Sequence, residues 1–133
     1  MVPSGKMSAM VNAGARLVMG VCFLVFGLDK LWDINGTTAF VGSKLPFAPF
    51  VFWLAVVIEA GSGALMIIGY KTRWVALFLA FYCGFLAVLF HTNFAEPHVI
   101  DHFFSNIMMI AAFLYLFANG PGAMALENRH AGH

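Results

Sequence analysis

Charged side chains are scarce. Asp, Glu, Lys and Arg make up 10% of the 133 residues, against 62% apolar. A water-soluble domain of this length buries too little area to hide so much apolar surface, so that class is excluded. Basic runs are absent as well. The formal net charge is +1, and nothing suggests a nucleic-acid partner. Cysteine is limited to Cys22 and Cys83, far apart and each inside an apolar run. With no CxxC and no zinc spacing, they give no disulfide framework and read first as small apolar filler. A redox-active pair of these thiols is the weaker alternative, because burial raises a thiol's pKa and blunts it. No haem, flavin or iron–sulfur motif occurs. Lys6 and Arg16 precede "LVMGVCFLVFGL", but no A-x-A cleavage site follows, so the segment reads as a membrane span and not as a signal peptide.

What the chain does have is long hydrophobic runs. A helix that crosses a bilayer needs about 20 mainly apolar residues. Four segments fit, over about 10–31, 50–69, 74–91 and 101–119. Between them lie a first loop holding Pro46 and Pro49, the tight turn "GYKTR", and the loop "HTNFAEPHVID". Gly120-Pro121-Gly122 should stop the last helix, and the tail "AMALENRHAGH" should be solvated. Lys6, Arg16, Lys71, Arg73 and Arg129 fall on the side of both termini, against Lys30 and Lys44 opposite. The positive-inside rule then places both termini in the cytoplasm. Trp32, Trp53, Trp74 and Tyr70 sit near span ends, as interfacial aromatics do. Small residues recur on the spans: Ala13, Gly20 and Gly27 on the first, Ala60 to Ala64 on the second, and Ala76, Ala80, Gly84 and Ala87 on the third. They allow close helix contact inside a bilayer. The expected fold is all-α, a four-helix bundle forming one integral membrane domain over residues 1–133. It is set in the lipid bilayer as a multi-pass inner-membrane protein, and its short helices suggest a homo-oligomer.

The polar residues within these runs are the candidates for function. Glu59 lies in the middle of "WLAVVIEAGSGALMIIGY", roughly 15 Å from either helix end at a rise of about 1.5 Å per residue. A carboxylate facing lipid there costs at least a few kcal/mol. It must therefore face inward and be protonated, paired or hydrated. Arg16 lies about 7–8 Å away in depth on the same rise and is the first expected partner, with Lys30 nearly twice as far; a water-linked Glu59 is the second option. Two readings stay open: an interior ion pair that only fixes helix register, or an acid that handles protons or a ligand.

Asp29, Lys30 and Asp33 gather at the outer face, as do His91, Glu96, His98, Asp101 and His102. Asp101 is a candidate cap for the last helix. The His-x6-His-x3-His spacing matches no known ligand pattern, so no metal centre is expected. His102, Asn106 and Met109 share one helical face. With His91 and Lys30, Asn106 either lines an apolar pocket or serves as interhelical glue.

In order and spacing, "ARLVMGVCFLVFGLDKL", "IEAGSGALMIIGYKTRWVALFLA", "FH" at 90–91, "FFSNIMMIAAFLYLF" and "GPGAMALE" resemble the DoxX family of small four-span membrane proteins. The ending departs from the family's Ser-Leu-Asp but keeps a carboxylate. The family pattern falls on Arg16, Gly27, Lys30, Glu59, Gly63, Arg73, His91, Asn106 and Gly120-Pro121-Gly122. Some relatives are subunits of a thiosulfate:quinone oxidoreductase, and others belong to redox-stress membrane complexes. The resemblance therefore implies a redox-linked subunit that binds a quinone and works with a partner oxidoreductase. Glu59 and His91 would then relay protons as the catalytic groups, and Arg16, Lys30, Asn106 and His102 would bind the ligand. A non-catalytic carrier, or a scaffold anchoring a soluble partner, is the rival.

Overall fold

A computed structural model describes residues 5–120 and Gly122. Pro121, Arg129, His130 and His133, with the rest of the tail, lie outside the described residues. The described chain folds as α1 (Gly5–Asp29), a 3-10 turn (Lys30–Asp33), α2 (Ile34–Gly42), α3 (Ala48–Ile68), α4 (Thr72–Phe90) and α5 (Val99–Asn119), with no strand among these residues. Four helical runs are long and apolar enough to cross a membrane. They are Gly5–Gly42, Ala48–Ile68, Thr72–Phe90 and Val99–Asn119.

Helix ends follow local chemistry. The Asp33 carboxylate accepts a hydrogen bond from the Gly36 N–H at 3.0 Å and so caps α2. Pro49 stands in the first turn of α3, where its missing N–H costs nothing. Gly69, at φ 77°, ends α3 in the left-handed conformation that glycine adopts without strain. Its N–H and that of Tyr70 both donate to the Leu65 carbonyl. Gly120, at φ 79°, follows the last residue of α5.

Two expectations need correction here. The first loop is not irregular throughout, because the 3-10 turn and α2 occupy most of it. Asp101 is not the cap of α5 either: His98 holds that position, and Asp101 lies in the first turn, where a carboxylate complements the helix dipole.

The contacts divide the molecule into two compact units, one built on α1, α2 and α3, the other on α4 and α5. In the first, α1 packs antiparallel on α3 and α2 also lies against α3. A methyl group added at Gly27 would come within 2.7 Å of Ala60 N, and one at Gly63 within 2.5 Å of Leu24 N. The glycines thus let two backbones touch, as membrane helices require when water supplies no driving force. In the second unit α4 packs on α5. Gly84 faces Ile110 in mid-helix, and Arg73 packs on Gly120 at one end.

Large apolar side chains on every span remain exposed, among them Val18, Val57, Phe81 and Met108. A surface of that kind suits acyl chains and not water. Trp32 and Trp74 are also exposed, near helix ends, where amphipathic rings meet headgroups.

Candidate functional site

Four polar or charged residues are buried among those described: Arg16, Glu59, Thr72 and Asn106. Arg16 and Glu59 belong to the first unit. Glu59 is inward, its side chain 5% exposed, and Lys30 Nζ donates to its Oε1 at 2.6 Å. Lys30 also donates to the Phe26 carbonyl at 3.4 Å. Its head is therefore turned back one helical turn from the end of α1 toward the level of the acid. Arg16, the partner expected from sequence, is engaged further along α3. Its Nη1 donates to the carbonyls of Met66 and, at 2.8 Å, Ile67.

The register explains the change of partner. Gly20 meets Gly63 and Ile67, while Gly27 meets Ala60 and Val56, which puts Glu59 level with Phe26. Lys30 is then about 6 Å away along the axis and Arg16 about 15 Å, at a rise of about 1.5 Å per residue. Counting depth from helix ends missed this. Pairing Gly20 against Gly63 and Gly27 against Ala60 would have found it.

Chemically, Lys30 and Glu59 form a short, charge-assisted hydrogen bond. The ammonium is 27% exposed while the carboxylate is closed off. Arg16 satisfies carbonyls in the last turn of α3 and sets its positive charge against the negative end of that helix dipole.

The second unit holds His91, His102 and Asn106. The His91 ring stacks on His102, with centroids 5.2 Å apart and planes at 27°. Burial first, and His102 second, lower the His91 pKa below its usual 6.5. Asn106 is buried, as its helical face suggested, but its Nδ2 donates to the His102 carbonyl of its own helix at 2.9 Å. It thereby braces the turn that carries His102. Outside this group, His98 and Asp101 are exposed and 3.8 Å apart, and Asn93 donates to Glu96 at 2.9 Å.

No three His, Cys, Asp or Glu side chains among the described residues are placed to hold a metal ion. Neither cysteine is in a disulfide; Cys22 faces outward and Cys83 is buried. Buried Thr72, at the first position of α4, was not foreseen, since a threonine at a helix start is too ordinary to stand out.

The DoxX family model matches residues 12–92, which takes in Arg16, Lys30, Glu59 and His91. The chain belongs to the DoxX family. Two similar proteins of Escherichia coli (strain K12) support the assignment. "Inner membrane protein YqjF" is 33% identical over 113 residues, covering 85% of this chain and 86% of that protein. "Inner membrane protein YphA" is 31% identical over 122 residues, covering 86% of each. "Putative oxidoreductase CatD" of Bacillus subtilis (strain 168) is 25% identical over 112 residues, covering 84% of this chain and 81% of that protein. No solved structure matches. With four apolar helices of spanning length and inner-membrane relatives, this DoxX protein is a multi-pass protein of the inner membrane, surrounded by lipid.

Proposed function

We propose that this DoxX protein is a redox-linked membrane subunit that binds a quinone, or a small apolar ligand like it, among its helices and works with a partner oxidoreductase. The observation that carries the reading is the Lys30–Glu59 pair. It sets a closed-off carboxylate at the middle of a membrane helix within 2.6 Å of an ammonium. Reduction of a quinone takes up two electrons and two protons where water is scarce, so a side chain must deliver the protons. Lys30 would pass its proton to Glu59, which would hand it on to a quinone oxygen, and the partly exposed Lys30 would regain a proton from solvent. His91, neutral near pH 7 in its partly buried position, is the second relay group, and His102 and Asn106 orient it. Arg16 holds the end of α3 in place. The partner oxidoreductase supplies the electrons. The similarity to a protein named as an oxidoreductase agrees with this direction.

Both termini lie on the cytoplasmic side in this reading, by the charge balance of the connecting segments. The short helices bury little surface, which favours a homo-oligomer.

The test is a titration of purified protein in nanodiscs with a short-chain quinone, followed by tryptophan quenching and thermal shift. The wild type should bind saturably, and Glu59→Gln should bind at least tenfold more weakly while remaining folded. No binding by the wild type, together with unchanged redox activity of Glu59→Gln membranes, would leave the carrier or scaffold role in its place.

A further inference from the structure

The Lys30–Glu59 pair is open toward one end of its helical hairpin and closed toward the other. Lys30 begins the 3-10 turn, past the end of α1 that is remote from the N-terminus. Its side chain is 27% exposed, against 5% for Glu59. On that side Asp29 and Asp33 are exposed just beyond Lys30.

Toward the N-terminal end, the two backbones close on each other. A methyl group added at Gly63 would lie 2.5 Å from Leu24 N and 2.6 Å from Gly20 O. One at Gly20 would lie 2.8 Å from Gly63 O and 3.0 Å from Ile67 N. A water molecule needs at least the room of one probe sphere and two to four polar partners. Backbones in this contact leave it no room. Past the seam, Arg16 occupies carbonyls in the last turn of α3.

We propose that the Lys30–Glu59 pair exchanges protons with one face of the membrane only, the face onto which the α1–α2 turn opens, and that the Gly20–Gly63 seam seals it from the face carrying the N-terminus. The ionisable groups on the elements packed around the pair fit this arrangement. Asp29, Lys30 and Asp33 stand on the open side and Lys6 and Arg16 on the sealed side. The thiol of Cys22 faces outward, and α2 carries no ionisable side chain. A ligand reduced at this pair would then draw its protons from one compartment. The proposal rests on Glu59 being the proton-handling group of the function proposed above, but the seal belongs to α1 and α3 and is measurable without a quinone.

The experiment uses full-length protein carrying Cys22→Ala and Cys83→Ala in sealed vesicles, with a membrane-impermeant anionic methanethiosulfonate applied to one face at a time. Met7→Cys and Asn35→Cys identify the two faces. Glu59→Cys should react at least tenfold faster from the face that modifies Asn35→Cys. Equal rates from both faces, faster reaction from the Met7 face, or no reaction from either overturns the proposal. Should Glu59→Cys not yield folded, monodisperse protein, Lys30→Cys with Glu59 retained must show the same one-sided labelling. One-sided labelling in a protein that binds no quinone keeps the seal and removes the quinone function. Two-sided labelling in a protein that binds quinone does the reverse.

Discussion

Glu59 would cost at least a few kcal/mol facing acyl chains, and its burial against Lys30 offsets much of that cost. That the acid faces inward could be read from its place in an apolar run, since no other orientation is tolerable. Its partner was missed, because depth counted from helix ends ignores the α1–α3 register and a lysine stem long enough to turn back by one turn. Removing one member of such a pair strands the other. Lys30→Met should therefore lower stability by about 3 kcal/mol, read as a clear drop in thermal melting temperature. The double change Lys30→Met with Glu59→Leu should recover most of it. If the single variant melts like the wild type, the pair is not holding the hairpin. At His91 the prediction concerns pH. Burial and His102 hold its pKa below 6.5, so the folded protein takes up a proton there at lower pH than the unfolded chain does. Stability is then lost as pH falls through 6.5 toward the lowered value, and is regained as pH rises above 6.5. Melting temperatures between about pH 7.5 and about pH 5.5 should fall more steeply in the wild type than in His91→Gln. Parallel slopes would contradict this.

The helices themselves were legible because their signal is simple: about 20 apolar residues between polar breaks. The small-residue pattern on α1 also held, since Ala13, Gly20 and Gly27 are all buried. On α3 it held in part. Of the run from Ala60 to Ala64, Gly63 is buried in the seam while Gly61 has nothing within 4 Å of an added methyl. A consecutive run on a helix points in every direction, so only the register decides which member counts. Gly63→Leu should accordingly drive α1 and α3 apart and abolish recovery of monodisperse protein, whereas Gly61→Leu should melt within a few degrees of the wild type. Similar behaviour of the two variants would refute the seam. α2 was missed because nine residues with Gly36 and Gly42 at or near its ends read as loop, and its packing on α3 is what holds it helical.

For the molecule as a whole, the topology we propose has an even number of spans and both termini in the cytoplasm, the side that Lys6, Lys71 and Arg73 favour. Reporters fused at either end should be active only as cytoplasmic fusions; a periplasmic signal from either would invert the topology. Membership of the DoxX family was legible in motif order, because those motifs are packing and burial constraints spread along the chain. A substrate was not, because no metal, haem or flavin pattern singles one out. The most direct measurement is a redox-induced infrared difference spectrum of the protein with a bound short-chain quinone, recorded electrochemically on the wild type and on Glu59→Gln. A carboxyl protonation change that accompanies quinone reduction in the wild type and is missing from Glu59→Gln is the predicted result. Identical spectra from the two proteins would contradict the account.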